Sequence, residues 1–201
     1  AGIRPGSFCK HSQDAFPLRA GLGSACKKSI TLVGEEGLHM SKHDKAQDKT
    51  NAMRMFDAAK LPHEVLFYDA EAAVSGIEVA AALGQDPNQV FKTLVTVGKS
   101  GEHYVFMVPV EAELNLKKAA AAAGEKSIAM IKSRELLPLT GYIHGGCSPL
   151  GMKKVFPTFI DETAILFDTI MYSGGRRGCQ ICSSLCDLQK LVDVTTADIA
   201  D

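Results

Sequence analysis

Four groups of residues in this chain have the types and spacing to do chemistry. The first is Lys92, within Val90-Phe91-Lys92-Thr93-Leu94-Val95-Thr96-Val97. Strand alternation sets Phe91, Thr93, Val95 and Val97 on one face and Lys92, Leu94 and Thr96 on the other. An ammonium near the head of so apolar a strand must snorkel to solvent, find a carboxylate, or point into a polar cavity. The second group is the loop Gly145-Gly146-Cys147-Ser148-Pro149-Leu150-Gly151. Glycines let a backbone come close to a ligand, and free N–H groups there can hold a carbonyl oxygen, an oxyanion or a phosphate. The same letters also write an ordinary tight turn. The third, Ser173-Gly174-Gly175-Arg176-Arg177-Gly178, offers a hydroxyl, backbone donors and two guanidiniums. It has neither P-loop spacing nor a GxGxxG fingerprint.

The fourth group is Cys179, Cys182 and Cys186. Three close thiols invite a zinc or iron–sulfur reading, but a tetrahedral site needs a fourth ligand, and the second ligand pair is missing. They can equally pack as small hydrophobes. No metal ligand and no cofactor is therefore assigned. Standard hydrolytic signatures are absent too: there is no Gly-x-Ser-x-Gly elbow and no His-Glu-x-x-His.

These groups sit on a regular pattern of elements from Thr50 onward. Thr50 can cap a helix carrying Met53, Phe56 and Ala59, ended before Pro62. His63–Tyr68 reads as a strand. Ser75 caps a helix through Leu83, with Gly84 at its end. Asp86-Pro87 has the signature of a further helical turn. Phe91–Val97 and His103–Val108 form a hairpin across Gly98-Lys99-Ser100-Gly101. An alanine-rich helix follows over Leu114–Ala123, then a strand at Ile128–Ile131 and a short helix at Ser133–Leu137 stopped by Pro138. Strands are expected near Val155–Ile160, Ala164–Phe167, Thr169–Tyr172 and Cys179, with a last helix near Ser184–Val192. Strands in consecutive runs, interspersed with helices, predict an α+β domain with a curved, mixed, partly barrel-like sheet flanked by helices.

Residues 1–39 show no sustained period and read as a non-native or disordered extension before a natural start at Met40, which leaves one domain over 40–201. The 201 residues hold 22 Lys+Arg against 23 Asp+Glu, a net charge of −1. Binding nucleic acid by charge alone calls for a basic excess, so any RNA partner is held locally. No apolar stretch is long enough to span a bilayer as a helix. No secretory pattern is visible and the six cysteines read as reduced thiols, which places the chain in the cytoplasm, away from membranes.

Taken in order, Val65–Tyr68, LGQDPNQVFKTL (83–94), LNLKK (114–118), GYIHGGCSPLGMKK (141–154) and SGGRRG (173–178) resemble the YbaK family of aminoacyl-tRNA deacylases, within the prolyl-tRNA synthetase editing-domain superfamily. The resemblance runs from about Thr50 to Ala200. It implies a trans-acting hydrolase that cleaves the ester of mischarged Cys-tRNA(Pro), with Cys-tRNA(Cys) as a second substrate. It also implies Lys92 as the functional lysine and the 3′ end of aminoacyl-tRNA as the ligand. Prolyl-tRNA synthetase would be a transient partner. Tyr68, Thr93, Gly145, Ser148 and Ser173 map onto the family pocket. Gly146, Pro149, Gly151, Gly174, Gly175, Arg177, Gly178 and Gln180 complete the expected substrate-binding set. The family reading has the substrate's own thiol attack the ester carbonyl, with loop amides and Lys92 supporting the charge. At position 180, where many members carry Asp, this chain has Gln, which keeps open a non-catalytic binding module with the same pocket. A small metalloprotein using the cysteine triplet is the third reading.

Overall fold

The computed structural model describes residues 49–201; the extension over 1–39 and the boundary at Met40 lie outside the described residues. Helix α1 (Asn51–Ala59) starts where the Thr50 side chain accepts from the Met53 amide, and it buries Ala52, Met53 and Phe56. Strand β1 is Glu64–Phe67. Helix α2 (Gly76–Ala82) opens with a capping box, in which Ser75 accepts from the Glu78 amide and the Glu78 carboxylate accepts from the Ser75 amide. Strands β2 (Phe91–Gly98) and β3 (His103–Pro109) form the expected antiparallel hairpin, its turn closed by the Gly101 amide donating to the Gly98 carbonyl.

Helix α3 (Leu116–Ala123) is capped by Asn115, strand β4 is Ile128–Met130, and helix α4 is Ser133–Thr140. Strand β5 (Thr158–Asp161) leads into a 3₁₀ helix (Glu162–Leu166). Strands β6 (Ile170–Ser173) and β7 (Cys179–Ser183), helix α5 (Leu185–Leu191) and strand β8 (Val194–Ala197) follow.

The strands form two sheets. One has the order β1-β7-β6, all antiparallel; the other is mixed, in the order β4-β2-β3-β5-β8, with β3, β5 and β8 parallel. A bridge between Val90 and Met171 joins them, and no barrel closes among the described residues. The α+β class read from the sequence is the architecture found.

Local differences have physical causes. Helix α4 runs through Pro138 to Thr140 instead of stopping before it. The Thr140 hydroxyl donates to the Leu136 carbonyl, and Gly141, at φ 86, donates to that of Leu137. Those bonds satisfy the end of the helix beyond the proline. Ala164–Phe167 is not a strand, because Asp161 caps a 3₁₀ turn by accepting from the Thr163 amide. Asp86-Pro87 gives hydrogen-bonded turns without a helix.

One buried carboxylate fastens the C-terminal end. Asp161 is 2% exposed; its Oδ1 accepts from the Thr163 amide and hydroxyl, and its Oδ2 accepts from the amides of Ile199 and Ala200. Four donors compensate the desolvation of that charge.

Candidate active site

The cavity that gathers six of the fourteen sequence-predicted residues arises from incomplete strand pairing. Strand β4 pairs only with Thr96–Gly98 of β2, while Val90 bridges to Met171 on β6. Between these points the segment Phe91–Leu94 has no strand beside it on that side. A cavity of about 420 Å³ lies along this edge. That position explains how Lys92 and Thr93, from opposite faces of one strand, both contribute to its wall.

The opposite wall comes from the three-stranded sheet. Ser173 and Gln180 are register partners across β6 and β7. On the inward side of these strands Tyr172, Ile181 and Cys179 pack in the main core. The alternate side carries Met171 and Cys182, which pack with Ala80, Val90 and Val110. Gln180 and Ser173 lie on that alternate side, where the apolar cluster gives way to the cavity. Tyr68 closes the wall after β1, and Gly145, His144 and Cys147 close it from the first glycine loop. Val79, Val95, Val110 and Leu136 supply an apolar lining.

The polar groups differ in how they are held. Lys92 is 27% exposed, and its ammonium meets Glu113 Oε1 at 3.2 Å. Glu113 is 85% exposed, so this tether is a surface-type ion pair worth at most about 1 kcal/mol. A ligand can therefore displace it readily. Thr93 Oγ1 and Gln180 Oε1 are buried with no hydrogen-bond partner. An orphaned buried polar atom costs about 1–3 kcal/mol, and the cavity has one on each of two facing walls. Among the described residues, no Asp or Glu lines the cavity. Burial pushes the Cys147 thiol up to about 12, which keeps it a neutral part of the wall.

Of the expected binding residues, Tyr68, Lys92, Thr93, Gly145, Ser173 and Gln180 come together. Gly146, Ser148, Pro149, Gly151, Gly174, Gly175, Arg177 and Gly178 stand behind the wall and not in it. Ser148 is fully buried, with its hydroxyl accepting from the Leu150 amide. A Cβ on Gly146 would sit 3.0 Å from Arg176 Cα, so the two glycine loops touch backbone to backbone. Gly151 and Gly175 both back onto Tyr142, whose hydroxyl donates to the Leu150 carbonyl at 2.6 Å. Arg177 Nε donates to the His144 carbonyl and latches the loops from outside. The amides of Gly146, Gly174 and Gly175 already donate to Ile143 O, Cys179 O and Ser173 Oγ. The glycines thus act mainly by letting the two loops close on each other.

Sequence reasoning gave no role to Tyr142 or Glu113, and quoted Cys147 only as part of its loop. The cysteine triplet does not gather: Cys179 and Cys182 lie on opposite faces of β7, in different hydrophobic clusters.

Comparison with known proteins follows the same outline. Residues 70–191 match the family described as the aminoacyl-tRNA editing domain. A relative from Enterococcus faecalis, provisionally named Cys-tRNA(Pro)/Cys-tRNA(Cys) deacylase EbsC, is 47% identical over 138 residues, which is 68% of this chain and 84% of the relative. A solved structure described provisionally as a trans-editing enzyme for prolyl-tRNA synthetase is 27% identical, with a TM-score of 0.63 over 69% of this chain and 87% of its own. A second structure, of a hypothetical protein, gives a TM-score of 0.69 at 22% identity over 76% of this chain and 100% of its own, a likeness of fold alone.

Proposed function

This chain belongs to the aminoacyl-tRNA editing domain family, and from that premise we propose that it is a trans-acting deacylase that hydrolyses the ester of mischarged Cys-tRNA(Pro), with Cys-tRNA(Cys) as a second substrate. The observation that carries this reading is the convergence of Lys92, Thr93, Gly145, Ser173 and Gln180 on one small cavity. The name of the Enterococcus faecalis relative supports the substrate class.

An aminoacyl ester is already activated, so binding, orientation and charge support suffice. The aminoacyl group enters the cavity and the terminal ribose stays toward Lys92. Released from Glu113, the Lys92 ammonium stabilises negative charge that develops on the carbonyl oxygen, or orients the ribose. For a cysteinyl substrate the side-chain sulfur attacks the ester carbonyl. A C–S bond forms, the C–O bond to the ribose breaks, and the thiol proton leaves with the ribose oxygen. Water then opens the cyclic thioester to free cysteine. The enzyme needs no nucleophile of its own in this scheme. Cys147, held as a thiol by burial, is not required as one.

The enzyme acts in the cytoplasm on the 3′ end of aminoacyl-tRNA, beside prolyl-tRNA synthetase in a transient complex. The test is single-turnover deacylation of Cys-tRNA(Pro) by wild type and Lys92→Ala. A loss of tenfold or more in the variant, with a native-like thermal midpoint, supports the role of Lys92; equal rates remove it. Saturable binding of Cys-tRNA(Pro) by wild type without turnover would turn the assignment to a binding module.

A further inference from the structure

The two orphaned atoms of the cavity say what the ligand must bring. Gln180 is 8% exposed, and its Oε1 is buried without a partner. A carbonyl oxygen can only accept, so the ligand must supply a donor there. Thr93 Oγ1, the second orphan, can accept as well. Both line the same cavity. Among the described residues, the fixed charge in the lining of that cavity is the Lys92 ammonium, with no carboxylate in the lining. Once Glu113 is displaced, a cationic group of the ligand is repelled by the Lys92 ammonium and is better held by neutral acceptors, whereas the ester carbonyl and the ribose are not repelled.

We propose that Gln180, assisted by Thr93, recognises the α-amino group of the aminoacyl ester, and so makes the site selective for acyl groups that carry an amine. The proposal rests on the deacylase reading and deepens it. Recognition by neutral oxygens has a chemical consequence. Both the ammonium and the free amine have N–H groups to donate, so the contact survives deprotonation of the amine. A carboxylate in the same place would favour the ammonium strongly and tie the reaction to its titration.

The experiment uses two substrates that differ only in the amine: Cys-tRNA(Pro) and its des-amino counterpart, 3-mercaptopropionyl-tRNA(Pro), which keeps the thiol. Wild type is expected to prefer Cys-tRNA(Pro) by tenfold or more in kcat/KM. In Gln180→Leu the ratio falls toward one, and in Thr93→Val it falls in the same direction by less. Gln180→Glu restores the preference but makes it decline as pH rises through the amine's titration. A merely structural role for Gln180 would lower both substrates together and leave the ratio unchanged, which overturns the proposal while the deacylase reading stands. Wild-type enzyme inactive on both esters overturns the two together.

Discussion

Substituting alanine for Gly146 probes the contact on which the site is built. The new Cβ would meet Arg176 Cα at 3.0 Å, Arg176 C at 3.1 Å and Arg177 N at 3.1 Å, all of them backbone. Ordinary carbon contacts lie at about 3.5–4.0 Å, so the two loops must part by roughly 0.5 Å. No flexible side-chain end can absorb this, and overpacking of this kind costs about 1–3 kcal/mol. Gly146 sits between Gly145 and Cys147, both in the cavity wall, and Arg176 follows Ser173 by three residues. Separation of the loops therefore moves wall atoms on both sides. If misplacement by about 1 Å costs about a hundredfold, half of that costs roughly tenfold in kcat/KM. The assay pairs deacylation of Cys-tRNA(Pro) with urea unfolding. Gly101→Ala is the control: an added Cβ there meets nothing within 4 Å, but the φ of +93° penalises it. That variant should lose about 1–2 kcal/mol of stability with catalysis intact. Wild-type kcat/KM together with an unshifted urea midpoint in Gly146→Ala would refute the loop-closure account.

Other consequences follow from the same geometry. Asp161→Ala removes a carboxylate that accepts four hydrogen bonds and strands the amides of Ile199 and Ala200; urea unfolding should show a loss of about 2–4 kcal/mol. Tyr142→Phe leaves the buried Leu150 carbonyl without its 2.6 Å donor and should cost about 1–3 kcal/mol, read as a lowered thermal midpoint. Cys147 keeps its proton in the folded state up to about pH 12, whereas an unfolded thiol loses it near about 8.5. Stability from this group is complete below about pH 8.5 and declines above it, because the folded state then binds more protons than the unfolded one. Tyr142, also pushed up to about 12 by burial, adds to the decline only above its ordinary value near about 10. Cys147→Ala should therefore flatten the decline between about pH 8.5 and 10 in unfolding titrations; an unaltered slope there would show that another group carries it.

Much of this arrangement was legible in the sequence because local physics writes it there. Thr50 and Ser75 cap the helices they precede as expected, since a side-chain oxygen next to free amides acts within one turn of chain; Asn115 and Ser184, read as helical positions, prove to be caps too. Alternation in Phe91–Val97 gives a half-buried strand, and Gly98–Gly101 gives its turn. The ordered motifs around Lys92 and the two glycine loops pointed to the family. Pro138 misled because a proline's local penalty was offset by bonds formed beyond it. Strand β8, Val194–Ala197, went unread because it is short and half exposed, and it exists by pairing with β5.

Only the tertiary structure decided which polar residues face the cavity. Alternation alone puts Lys92 and Thr93 on opposite sides of a strand, yet a gap in strand pairing brings both to one cavity. The glycine loops looked like ligand cradles, but they spend most of their amides and close contacts on each other and on Tyr142. Position 180 read as an acid missing from a family pattern. In the fold it is a buried acceptor without a partner, because the register of β6 and β7 turns it toward the cavity and away from the core. Caps and periodicities depend on neighbours in the chain; a vacant hydrogen bond depends on everything packed around it, and no single segment contains that information.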